Sequence, residues 1–267
     1  MVVKVKTKRI VVCADDFGMN PAVNAGILSL AGMGRVNAAS CLAQGPAFKS
    51  DAPALAQSGL QLGLHLNFTE PMGQSGLYLP LHRVIIQAYL RRLDAAQVRR
   101  QILRQLDSFE TVLGRSPDFV DGHQHIHQLP QIREILVREL ASRYSERRPW
   151  LRFTRTGSQS GVTVPLRLKA QVIQWLGSRR LARLAQRHGF SLNPGFLGVY
   201  DFRGGHLLYR RLLRLWLRGA AEGDVLMCHP AAYSDASDAL GAQRRAEFEV
   251  LASDQTGRWL EKYGVAL

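Results

Sequence analysis

The apolar run over 10–14 stops on two adjacent aspartates, Asp15 and Asp16, and then on a turn at Phe17-Gly18. A β-branched run between charged residues and a turn reads as a buried strand. Asn20-Pro21 follows, and Val23, Ile27, Leu30 and Ala31 recur at helical spacing until Gly32 and Gly34 end the pattern. The chain therefore opens with a strand, a loop and a helix. That unit recurs: VNAASCLA (36–43) as strand, FKSDAPALAQS (48–58) as helix, then LQLGLHLNF (60–68), with Leu62, Leu64 and Leu66 alternating. After a Gly- and Pro-rich loop come a helix over about 93–113, a strand in DFVDGHQHIH (118–127), a helix over about 130–143 and a strand in WLRFTR (150–155). Strands alternating with helices imply a parallel sheet, either a closed barrel or an open doubly wound sheet. At 267 residues the chain suits one domain over 1–267.

From about 157 to 222 the rhythm changes. This stretch is basic and leucine-rich, with Arg211, Arg214 and Arg218 on one helical face and Leu208, Leu212 and Leu215 on the other. It reads as a helical excursion packed on the sheet before the strand pattern resumes at DVLMCHPAAY (224–233). A second basic segment carries Arg179, Arg180, Arg183 and Arg187 beside Trp175, Leu176 and Leu184. The chain holds 35 Lys+Arg against 21 Asp+Glu, a net +14, which suits an anionic partner. A nucleic-acid groove would interleave aromatics with the basic residues. Here the arginines gather on leucine-rich helices, which argues against nucleic acid and toward peripheral contact with an anionic inner membrane. Cys13, Cys41 and Cys228 are odd in number and have apolar neighbours, as buried free thiols of a reducing compartment do. The apolar run behind MVVKVKTKR is too short for a signal-peptide core, so a cytoplasmic protein is expected, peripheral on the membrane if the basic helices reach it.

Adjacent carboxylates repel and resist burial unless a cation or hydrogen-bond donors surround them. Asp15 and Asp16, His65, and the cluster His123, His125, His127 all fall at C-terminal ends of expected strands. In parallel α/β folds the loops leaving that end converge on the active site. Two histidines and a carboxylate from different strands are a plausible ligand set for a divalent ion.

The motifs ADDFGMN, GLHLN, DGHQHIHQLP and LMCHPA, in this order and spacing, resemble the YdjC-like carbohydrate deacetylase family over about 9–155 and 223–265. The resemblance implies an irregular, TIM-barrel-like (β/α) barrel binding one divalent metal through Asp16, His65 and His123, with Asp15 as general base. Mg or Zn comes first, and Mn, Co and Ni stay open. The leaving amine needs a proton, and a histidine suits that near neutral pH: His229 is the first candidate because VLMCHP is another strand end facing the same mouth, with His125 second if 121, 123, 125 and 127 share a strand face. Arg152, Arg155, His125 and Asn67 are the expected substrate contacts. Two departures stand out: the family commonly carries Ser and His where this chain has Gly122 and Gln124, and HPG is here His229-Pro230-Ala231.

The expected activity is metal-dependent removal of the N-acetyl group from an amino sugar, releasing acetate. A deacylase of a lipid-linked sugar, or of another sugar amide or ester, at the inner membrane surface is the alternative. A homodimer is the default assembly by base rate.

Overall fold

The computed structural model describes residues 7–267; the start of the basic stretch MVVKVKTKR lies outside them. The described chain runs β1 (Lys8–Arg9), β2 (Val11–Phe17), α1 (Pro21–Gly32), β3 (Ala38–Cys41), α2 (Phe48–Ala56), β4 (Gln61–Leu66), α3 (Leu81–Tyr89), α4 (Ala95–Leu113) and β5 (Phe119–Gly122). A 3-10 turn over His123–Gln128 leads to α5 (Ile132–Arg143), β6 (Trp150–Leu151), α6 (Val164–Trp175) and α7 (Ser178–Arg187). β7 (Phe196–Leu197), α8 (Gly205–Gly219), β8 (Val225–Cys228), α9 (Gly241–Ala252), α10 (Asp254–Lys262) and β9 (Val265–Ala266) complete it.

Seven strands form one sheet in the order β6-β5-β4-β3-β2-β8-β7, every pair parallel. Its two edges meet through isolated parallel bridges, Leu151 to Leu192 and Thr156 to Phe196. The sheet therefore curls into the irregular TIM-barrel-like fold, with β1 and β9 paired separately.

Strand periodicity sorts the residues into layers. Val12, Ala14, Leu62, Leu64, Val120 and Leu226 belong to the large apolar layer shared with the helices. Residues of the other parity, Cys13, Ala38, Phe119, Phe196, Val225 and Met227, form a smaller apolar cluster of their own. Two positions further along the same strands stand Asp15, Ser40 and Asp121, and His65 follows Gly63 in the same way. An apolar plug thus fills the bottom of the barrel, and a polar layer lies directly above it at the C-terminal ends.

Local chemistry fixes the ends of the elements. Asn20 caps α1, its side chain accepting from the Val23 amide at 2.9 Å, with Pro21 in the first turn. Asp94 caps α4 through the Ala96 and Gln97 amides, and Gly114 ends it at φ +66. Inside α4, buried Gln101 and Gln105 bind the backbone of Asn67 and Leu77, which ties down the loop after β4.

Several expectations change. The stretch 157–222 includes a strand of the sheet, β7, whose two residues are too short to announce themselves by alternation. Helix α3 arises in what reads as loop. On α8, Leu212, Leu213, Trp216 and Leu217 are buried, while Arg210, Arg211, Arg214 and Arg218 face solvent. The apolar side of α8 is thus largely consumed by the fold, with Leu207 alone among its apolar residues well exposed. Cys13, Cys41 and Cys228 are free and buried, as expected. No helix among the described residues is long and apolar enough to cross a membrane.

Gly63 of the GLHLN motif carries the tightest packing in the plug. A Cβ there would lie 2.2 Å from the Phe119 ring, which itself stacks on Trp150 at 4.4 Å. Gly63→Ala is expected to destabilise the fold by roughly 1–3 kcal/mol through overpacking, lowering the midpoint in a thermal melt by about 2–4 °C per kcal/mol.

Candidate active site

In a regular strand, Asp15 and Asp16 would point to opposite faces. Here the pairing of β2 with β3 shifts register between Ala14 and Phe17, and Asp16 takes φ +73. Such a bulge re-aims a side chain, and both carboxylates turn to the barrel mouth. The loop that follows closes on buried Asn24, which accepts from the Gly18 amide at 2.6 Å and donates to the Ala47 carbonyl at 2.8 Å.

The buried guanidinium of Arg152 lies beneath the pair. Its Nη1 and Nη2 donate to the two oxygens of Asp15 at 2.6 and 2.7 Å, and Nη2 lies 2.5 Å from Asp121 Oδ2. Asp121 then binds His65: its Oδ1 is 2.7 Å from His65 Nδ1, and the Ser40 hydroxyl donates to the same oxygen at 2.5 Å. This fixes the ring so that Nε2 faces Asp16. Burial opposes a charge on Asp121, but Arg152 and His65 outweigh it and hold that carboxyl below the usual range. Burial likewise opposes charging His65, yet Asp121 above all lifts its pKa to about 10.

Asp16, His65 and His123 each offer a donor atom, all within 4.8 Å of one another. His65 Nε2 is 3.3 Å and His123 Nδ1 2.9 Å from the same atom, Asp16 Oδ1. Two donors ~2.1 Å from a single divalent ion stand ~3.0–3.4 Å apart, so these gaps fit the edges of one coordination sphere. The carboxylate behind His65 is the usual outer partner of a metal-binding imidazole. A cation held here would take the place of the His65 proton, and the donor set of two nitrogens and a carboxylate oxygen suits a divalent metal. The other oxygen, Asp16 Oδ2, accepts from Arg244 Nη2 at 2.7 Å, which leaves Oδ1 to face the histidines. A second acidic group, Cys13, Asp15 and Asp121, is neutralised by Arg152 itself.

His123 arrives by an unexpected route. β5 ends at Gly122, and the chain enters a 3-10 turn in which Gln124 and His125 take φ +53 and +60. Residues 121, 123, 125 and 127 consequently do not share a strand face. His127 is buried against the Arg152 carbonyl at 3.0 Å, whereas His125 rests edge-on against Phe196 with a buried, unpartnered Nδ1. A Cβ on Gly122 would come within 3.0–3.1 Å of His127, so the glycine accommodates that ring.

These groups floor a cavity of about 620 Å³ that Asp15, Asp16, His65, His123, His125 and His229 help to line. Its volume is in the ~300–1,000 Å³ range of small-molecule sites. His229 stands edge-on to Phe202 on the opposite wall, and burial pushes its pKa down to about 4 against the pull of Asp16 and Asp15. Its backbone amide donates to Glu247 Oε2 at 2.7 Å, and Tyr200 donates to Oε1 at 2.5 Å.

A model of the YdjC-like protein family matches residues 9–262. The chain belongs to this family. It is 32% identical to a mouse carbohydrate deacetylase over 97% of this chain and 93% of that one. It is 28% identical to the chitooligosaccharide deacetylase of Serratia marcescens, over 84% and 82%. In fold it is similar to an Enterococcus faecalis crystal structure provisionally assigned to cellobiose-phosphate cleavage: TM-score 0.70, 21% identity, 98% of this chain and 97% of that one.

Measured against the motifs of the YdjC-like family, the structure brings Asp15, Asp16, His65, His123, His125 and His229 to one cavity. Three expected substrate contacts lie elsewhere. Arg152 is fully buried and spends its donors on Asp15 and Asp121. Arg155 is exposed and outside the cavity lining, its carbonyl accepting from the Phe196 amide at 2.7 Å where the two sheet edges meet. Asn67 accepts from the Thr69 and Glu70 amides and so folds its own loop. Sequence reasoning missed Ser40, Asp121, Arg244 and Glu247. Asp121 alone carried a signal, as the residue before Gly122-His123 in an already suspicious motif.

Glu247 yields a pH prediction. Burial raises its pKa from 4.5 to about 7, outweighing the donors around it. Between those values the folded state holds more protons than the unfolded one, so this contribution to stability is full below about 4.5 and is lost as pH rises to about 7. Glu247→Gln is expected to flatten the decline, on the order of 3 kcal/mol, in urea midpoints measured from pH 4.5 to 8.

Proposed function

We propose that this chain is a metal-dependent hydrolase that removes the N-acetyl group of an N-acetylated amino sugar and releases acetate. The observation that carries this reading is the convergence of Asp16, His65 and His123 on one point beside Asp15 on the floor of the cavity. The names of the mouse and Serratia relatives support the substrate class. Asp16, His65 and His123 would hold a divalent ion, whose chemistry would be to make a water nucleophilic near neutral pH and to polarise the acetyl carbonyl. Asp15 accepts the proton of the attacking water. Both of its oxygens are gripped by Arg152, so the carboxylate keeps a single orientation while its remaining lone pairs face the cavity. The departing amine needs a proton, and His229 is the group placed to pass one to it. Because burial keeps His229 neutral at rest, the proton it hands to the amine is the one that Asp15 removes from the water, so that no net proton is needed from outside. His125 lines the same cavity beside the three ligands and is the second histidine within reach of a bound sugar.

Two measurements test the assignment. His65→Ala and His123→Ala are each expected to lose the bound metal in elemental analysis. Asp15→Asn is expected to keep it while losing roughly 10²–10⁴-fold in turnover of N-acetylglucosamine oligomers, the usual share of a general base. Full metal content in both histidine variants would remove the ligand assignment. For His229, the expected signature is a split between substrates. His229→Ala loses activity on the N-acetyl sugar but keeps much more on an activated acetate ester, whose leaving group needs no proton. Equal losses would assign His229 to positioning instead.

A further inference from the structure

Helix α6 has two working faces. Lys169 and Ile173 line the catalytic cavity. On its outer side Val164, Leu168, Val172 and Trp175 follow one another at helical spacing and are 49–65% exposed. An apolar stripe of this length on solvent is unusual in a chain whose other leucine-rich helix, α8, buries its stripe. It also has a neighbour. Ile86, Tyr89 and Leu90 of the α3 end are exposed, and Tyr89 and Trp175 line one cavity of about 440 Å³. The rest of that cavity is chiefly arginine: Arg133, Arg179, Arg180 and Arg183.

The charge of this face is mostly of one sign. No Asp or Glu occurs between Glu70 and Asp94, or between Glu146 and Asp201, the segments that supply α3, α6 and α7, and Glu134 of α5 is ion-paired at 2.9 Å with Arg133, which lines the cavity. A second copy of the chain docked here by two-fold symmetry would set arginines against arginines. Exposed aliphatics flanked by Trp and Tyr and ringed by arginine in excess of acid match instead the water–bilayer boundary of an anionic membrane. We infer that the outer face of α6, with the end of α3 and the start of α7, docks on an anionic lipid bilayer and so holds the catalytic cavity close to the membrane surface. The sequence pointed to both basic segments, 210–218 and 175–187, for this contact. The structure narrows it to the second together with α6, since α8 leaves Leu207 alone among its apolar residues well exposed. This inference stands apart from the sugar chemistry, because it uses no residue of the metal site.

Cosedimentation tests it, with vesicles of phosphatidylcholine alone or mixed with phosphatidylglycerol, at low and physiological salt. The protein is expected to bind the phosphatidylglycerol vesicles and release them as salt rises. The triple variant R179Q/R180Q/R183Q is expected to bind at least roughly tenfold more weakly, and L168S/W175A similarly. R210Q/R211Q/R214Q on α8 removes the same charge from a different surface and is expected to stay within about twofold of the parent. Thermal midpoints near the parent's establish that the exposed substitutions leave the fold intact. Trp175 is far more exposed than Trp150, Trp216 and Trp259, so bromine-labelled acyl chains are expected to quench its emission. No binding to phosphatidylglycerol vesicles at low salt would overturn the inference. So would equal losses in the α7 and α8 variants, binding without quenching, or a dimer in solution that L168S/W175A dissolves.

Discussion

A single buried guanidinium determines the electrostatics of the barrel mouth. Arg152 lies between Asp15 and Asp121, and all three are essentially sealed from solvent. Without it, two carboxylates would share a low-dielectric interior, and breaking such a buried arrangement by removing one partner costs about 3–5 kcal/mol. Lysine would not replace it, because a point charge cannot grip both oxygens of Asp15 and still reach Asp121. Everything above depends on this clamp. Asp15 is oriented directly, and His65 is oriented through Asp121, so the proposed base and the proposed ligand inherit their geometry from one side chain that does not itself line the cavity.

The layering of the barrel explains why the clamp sits where it does. Parity along each strand fills the bottom of the interior with Cys13, Ala38 and Phe119 and places Asp15, Ser40 and Asp121 two residues later. The apolar plug excludes water from below, which strengthens every charge interaction in the polar layer. The bulge at Asp16 then breaks parity once, at the one position where two adjacent carboxylates must face the same way.

Much of this was legible in the sequence because ligands at strand ends are marked by local contrast. Asp15-Asp16, His65 and His123 interrupt apolar runs, and each does reach the cavity. What escaped was set by tertiary contact. Arg152 and Arg155 look equivalent in WLRFTR, yet one is buried beneath Asp15 and the other is exposed, outside the cavity. Arg244 and Glu247 sit on α9, distant in sequence from the residues they hold, with nothing local to mark them. The leucines and arginines of α6 and α8 are alike in composition. Only packing decides that α8 spends its apolar side on the core while α6 leaves its own on solvent.

The central claim is that Asp16, His65 and His123 form one metal centre. An anomalous difference map from crystals grown with cobalt or zinc tests it most directly. The account predicts a single strong peak ~2.0–2.3 Å from Asp16 Oδ1, His65 Nε2 and His123 Nδ1, with Arg152 still bridging Asp15 and Asp121. A map without a peak there, or with the ion among Cys13, Asp15 and Asp121 and Arg152 displaced, would contradict it.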